Sequence, residues 1–139
     1  MTIESFKDYL ATTQMTFSYK AVMVLALLYV VDHQGKASHP ELRAGFLAFY
    51  LDRQRHGLPT EKQRERYPTP LLKPNEVSDA QIRQILGRYP LELMGAYLSV
   101  DEDFVRIKPA IWSQMTAADL VELKEIALRR LEAYYEGIE

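Results

Sequence analysis

From Thr2 to Thr12 the apolar residues Ile3, Phe6 and Leu10 recur at spacings of three and four, with Glu4, Lys7 and Asp8 between them. That rhythm predicts one apolar stripe on a short amphipathic helix. Phe17 to Val31 is apolar almost all round and predicts a central helix that other elements must cover on every side. Its unbroken core, Ala21 to Val31, is about 11 residues long against the roughly 20 of a membrane span, so it is read as a buried helix without membrane association. Asp32 to Gly35 ends it, because glycine takes left-handed backbone without steric cost. Lys36 and Ala37 follow as a short connector suited to extended backbone.

Ser38-His39-Pro40-Glu41 is a capping box. The Ser38 hydroxyl can accept from a first-turn amide, Glu41 can reach back, and Pro40 gives up no hydrogen bond there. The helix it opens offers Leu42, Phe46, Phe49 and Tyr50 as a buried face, and Gly57 with Pro59 stops it. Residues 57–77 hold Pro59, Pro68, Pro70 and Pro74 and few apolar side chains, which predicts a long irregular loop of the length that usually serves function. Ser78-Asp79-Ala80-Gln81 repeats the cap and opens a helix carrying Ile82, Ile85 and Leu86. Pro90 interrupts it, and a short turn over Leu91 to Ala96 follows. Tyr97 to Val100 and Phe104 to Ile107 alternate around Asp101-Glu102-Asp103, which predicts a hairpin with an acidic tip. Thr116 with Asp119 caps the last helix, whose stripe runs Leu120, Leu123, Ala127, Leu131, Tyr134 and Ile138.

These elements predict a mainly α fold with a small β-hairpin: a winged-helix-like single domain over residues 1–139, with a long core helix near its start and an amphipathic helix at its end. The helix at 78–88 takes the recognition position and the hairpin the wing. Composition narrows the chemistry. The 139 residues carry 17 Lys+Arg against 19 Asp+Glu, a net charge of -2, with 47% hydrophobic content and no cysteine. One compact domain fits that length. Disulfides, thiolate metal sites and cysteine nucleophiles are excluded. The near-neutral balance also excludes a strongly basic nucleic-acid tail. Glu4, Lys7 and Asp8 near the start argue against a targeting segment, so the expectation is a mature chain that begins here, in the cytoplasm.

Thr16 to Val22, Asp32 to Gly35, Phe49-Tyr50-Leu51-Asp52-Arg53, Lys108 to Trp112 and Leu131 to Tyr135 resemble a helical module of bacterial phage-defence and restriction proteins. That module is commonly the C-terminal region of DEAD/DEAH-type helicases. The resemblance covers nearly the whole chain and rests on core and cap residues. It implies association with DNA-transacting machinery without catalysis by the module itself. The chain departs from such helicases in having no phosphate-cradling Gly-rich loop followed by Lys and Ser/Thr and no paired acidic magnesium motif.

The candidate nucleic-acid contacts are Arg53, Arg55, Lys62, Arg64, Arg66 and Lys73, together with Arg83 and Arg88. Residues 52–73 hold six Lys/Arg against Asp52, Glu61 and Glu65, a net of +3, and phosphates attract such clusters. A bland reading stands beside this one: Arg53 and Arg55 offset a helix C-terminus, and the rest is a solvated loop. Arg83, Gln84 and Arg88 share the outer side of the recognition-position helix, where they can grip phosphate or read base edges. Asp101 to Asp103 would repel a phosphate backbone, which adds weight to a protein partner.

The other polar and aromatic residues read as structural. Lys20 is expected to snorkel outward or pair with an acid, Trp112 to anchor the core, and Tyr9, Tyr134 and Tyr135 to pack with their hydroxyls in water. His33, His39 and His56 stand apart, so no metal site is expected. Glu61 and Glu65 lie one helical turn apart without an accompanying base or nucleophile, and Ser18 reads as an ordinary serine. The expected function is therefore a non-enzymatic accessory module of a bacterial DNA-processing or defence system, weakly binding DNA and needing no cofactor. The alternative is an adaptor that docks on a helicase or nuclease subunit, or that self-associates as a homo-oligomer.

Overall fold

The computed structural model of the chain describes residues 2–63, 68–88, 90 and 94–138. It is mainly helical with a small three-stranded antiparallel sheet. In chain order the elements are α1 (Ile3–Thr12), α2 (Tyr19–Val30), β1 (Lys36–Ser38), α3 (His39–Arg55), α4 (Asp79–Arg88), β2 (Leu98–Val100), β3 (Phe104–Ile107), α5 (Pro109–Trp112) and α6 (Ala117–Glu136). Two 3-10 turns, Pro70–Leu72 and Pro74–Glu76, interrupt the long connection from α3 to α4.

The central helix lies where its composition requires. Every residue from Ala21 to Leu28 is buried, because α3 and α6 both pack along α2 and α4 closes a further part of it. Burial of each large aliphatic side chain contributes roughly 1.5–3 kcal/mol. The helix starts at Tyr19, two residues later than its apolar pattern suggests, with Ser18 at the N-cap. α1 lays Ile3, Phe6 and Leu10 against α6, as its stripe predicts. α6 turns Leu123, Ala127 and Leu131 inward.

All three capping boxes read from the sequence form. Ser38 Oγ accepts from Glu41 N at 3.2 Å while Glu41 accepts from Ser38 N at 3.4 Å. The same exchange links Ser78 with Gln81 and Thr116 with Asp119. Thr2 and Ser5 make a fourth such box at the start of α1.

The predicted hairpin is present, and it belongs to a larger sheet. Residues 36–38 are an edge strand that pairs antiparallel with β3, so the strand order is β1-β3-β2. Ala37 and Val105, Leu98 and Ile107 face the core as cross-strand pairs. Lys36, Ser99 and Arg106 form a row on the other face, where Lys36 Nζ sits 4.4 Å from the centre of the Phe104 ring. Asp101 shapes the hairpin tip by accepting from Asp103 N and Phe104 N, both at 2.8 Å. Those backbone donors hold its carboxyl below the usual range.

Of the turn predicted over Leu91 to Ala96, residues 91–93 lie outside the described residues. Met94 to Tyr97 form a turn, with Tyr97 N donating to Met94 O. No described helix is long and apolar enough to cross a membrane.

Candidate nucleic-acid interface

The eight cations singled out in the sequence divide into three groups. Arg53 and Lys62 turn back onto the protein. The Arg53 guanidinium carbon lies 3.5 Å from the centre of the Tyr135 ring, and Arg53 Nε donates to Pro59 O at 2.6 Å. Lys62 Nζ stands 4.8 Å over the Tyr134 ring. Both side chains are half-buried, so the charge they offer a ligand is reduced by these contacts.

Arg55, Lys73, Arg83 and Arg88 are exposed. Gln54 Nε2 donates to Asn75 Oδ1 at 2.8 Å, which ties the second 3-10 turn to the end of α3 and brings the Lys73 segment beside Arg55. Lys73 is 3.9 Å from Glu76. On α4, Arg83 lies 3.4 Å from Asp79, whose other oxygen accepts from Arg43 Nε at 2.8 Å. α4 packs against α3, so this charged line continues from one helix to the next. Exposed pairs of this kind contribute at most about 1 kcal/mol and are readily exchanged for a phosphate. Arg64 and Arg66, the third group, lie outside the described residues.

The loop that carries these cations is moored at its buried ends. Glu61 is only 3% exposed. One of its oxygens accepts from Ser18 N at 3.0 Å and Ser18 Oγ at 2.6 Å; the other accepts from Lys62 N at 2.9 Å and from the Tyr134 hydroxyl. Ser18 Oγ also meets Tyr50 OH at 2.7 Å. Tyr135 OH donates to Thr60 O at 2.8 Å, and the Tyr19 hydroxyl bonds Thr69. Burial pushes the Tyr19 phenol up to about 12 and raises those of Tyr50 and Tyr135 as well.

This network corrects two expectations. The hydroxyls of Tyr134 and Tyr135 are not in water but close the loop, because the C-terminal end of α6 passes over residues 60–61. Glu61, which has no obvious partner in the sequence, is a buried carboxylate with four donors. One signal could have found it. The first turn of α2 holds no acid and the Ser18 side chain does not cap its amides, so the donors there need an acceptor from elsewhere in the chain. A carboxylate at a helix N-terminus also faces the positive end of the helix dipole.

Lys20 bonds a hydroxyl rather than an acid, with Nζ donating to Thr13 Oγ1 at 2.6 Å. Trp112 packs against the core and donates from Nε1 to His33 O at 3.0 Å. Sequence reading also missed Lys36 and Arg106, direct cross-strand neighbours that add two cations to the outer face of the sheet. Arg106 Nε is buried there without a hydrogen-bond partner. Among the described residues, no three His, Asp or Glu side chains converge as a metal-binding group. Comparison of the chain with family models, with curated proteins and with solved structures gave no match.

Proposed function

We propose that the chain is a non-catalytic, winged-helix-like accessory module that binds nucleic acid weakly and with little sequence preference. The observation that carries this reading is the solvent side of α4. Gln81, Arg83, Gln84 and Arg88 stand exposed there, with no large exposed apolar side chain among them. These side chains are the types that grip phosphates and reach base edges. The order α2, β1, α3, α4, β2, β3 with the sheet order β1-β3-β2 supports reading α4 as the recognition helix and β2–β3 as the wing.

The duplex runs along α4 towards the end of α3, where Arg55 and Lys73 extend the positive surface. Asp101, Glu102 and Asp103 keep the wing tip off the phosphates by repulsion. The resemblance to the helicase-associated module supports a setting in a bacterial DNA-processing or defence system.

Fluorescence anisotropy of a labelled duplex over a series of salt concentrations tests the reading. Log affinity is expected to fall linearly with log salt, and Arg83→Glu with Arg88→Glu to weaken binding by about tenfold or more. Glu102→Lys is expected to strengthen it. Affinity indifferent to salt and to the α4 double substitution would overturn the proposal.

A further inference from the structure

The side of the molecule formed by α2 and α6 has a different character from α4. Three of its large apolar side chains face solvent: Tyr29 is 66% exposed, Val121 53% and Leu128 46%. Val121 and Leu128 are two turns apart on one face of α6, and Lys124, between them, holds Nζ 4.3 Å over the Tyr29 ring. The three apolar groups therefore belong to one seam along α2 and α6. Around it the exposed charged residues of α6 are chiefly acidic: Glu125, Glu132 and Glu136, with Glu122 paired to Lys7, against the exposed cation Arg129. Lys124 is half-buried, with its ammonium drawn over the Tyr29 ring.

We infer that this seam docks a cationic amphipathic helix of a partner protein. An apolar stripe rimmed by carboxylates is the complement of a helix whose one face is aliphatic and whose flanks are Lys and Arg. A second copy of the chain fits less well, because two α6 faces brought together would set Glu125 and Glu132 of one against the carboxylates of the other. The apolar contact is small, so the complex is transient, with charge steering its encounter. α4 packs on α3 and α2 while α6 packs on α1 and α2, so the proposed nucleic-acid face and this seam use different elements. Each proposal can fail without the other.

The probe is a synthetic helical peptide of Leu and Lys with its Leu on one face, and the control is the same peptide with Glu replacing Lys. Both are titrated into the isotope-labelled chain. Saturable shifts are expected around Tyr29, Val121 and Leu128 with the Lys peptide only. Leu128→Glu and the pair Glu125→Lys with Glu132→Lys should each weaken binding by about tenfold or more. All three positions are exposed, so thermal unfolding checks that the variants keep their fold. Shifts centred on the acidic hairpin tip, or affinity unchanged by Leu128→Glu, would overturn the inference. So would self-association in sedimentation that Leu128→Glu abolishes, since a second copy would then own the seam.

Discussion

The indole of Trp112 covers the α-carbon of Gly35 so closely that a Cβ built there would stand 2.5 Å from Cδ2 and 2.7 Å from Cγ of the ring. Gly35 has φ +76°, and its carbonyl accepts from Ile107 N at 2.9 Å, so the turn after α2 is tied to the sheet and to α5 at once. Gly35→Ala is expected to cost about 1–2 kcal/mol for left-handed backbone alone and more for the clash with the ring. In a Trp112→Ala background the cost of the same substitution should fall towards the backbone value. Urea unfolding of the four chains in the cycle measures the difference, and an unchanged cost would show that the ring moves aside freely.

Replacing Glu61 with Gln keeps the size of the side chain but puts an amide nitrogen where the carboxylate meets only donors. A loss of about 2–4 kcal/mol is expected, from unsatisfied buried groups. Tyr134→Phe should lose less, about 1 kcal/mol, because the hydroxyl's bond to Glu61 and its long contact with Thr16 O disappear while the carboxylate keeps three donors. Chemical unfolding followed by tyrosine and tryptophan fluorescence reads both.

Lys7, 7% exposed, reaches Asp119 at 2.7 Å, Glu122 at 2.8 Å and Glu4 at 3.2 Å. The Asp119 and Glu122 hydrogen bonds raise the ammonium pKa, and the Lys7 bond lowers that of Asp119. A carboxylate lowered in the fold stabilises it above the unfolded value of about 4, and this contribution disappears as pH falls through the folded value. The Lys7 contribution is complete below about pH 10.4 and is lost as pH climbs through the raised folded value. Lys7→Met should therefore flatten the acid limb of stability below about pH 4 and leave neutral-to-mildly-alkaline behaviour level. Urea midpoints across a pH series check this; an acid limb as steep as in the parent would contradict it.

Alkali acts on a different set of groups. Tyr19, Tyr50 and Tyr135 have phenols raised by burial, so the unfolded chain ionises them first. Stability should be insensitive to these groups through neutrality and decline once pH passes about 10. In a phenolate absorbance titration, some of the nine tyrosines are expected to ionise late and together with unfolding. Tyr50→Phe should reduce the steepness of the alkaline decline.

Local signals wrote much of this architecture legibly. The apolar run of α2, the boxes at Ser38, Ser78 and Thr116, and the alternation flanking Asp101 to Asp103 each act within a few residues, and each matches its element. What was illegible depends on distant partners. Lys36 to Ser38 become a strand only because Phe104 to Arg106 arrive alongside them. Lys7 looks like a surface cation until α6 brings Asp119 and Glu122 across it. Glu61 sits among polar neighbours, and its burial is decided by Ser18 and Tyr134, far away in the chain. The proposed interface was half visible. Residue type marked Arg83 and Arg88 on the outside of their helix, whereas nothing local indicated that Arg53 and Lys62 would rest on the tyrosine rings of α6.

The all-round apolarity of α2 bears on synthesis of the chain. The helix ends at Val30 and α6, which covers one of its flanks, begins at Ala117. At about 5–20 residues per second, the ribosome leaves that flank bare for roughly 5–20 s. α3 emerges early enough to shelter one side, but the other stays adhesive until the last helix is out. Yield in cells should therefore depend on chaperones that hold apolar nascent segments, and a stop codon ahead of α6 should raise the aggregated fraction of the product.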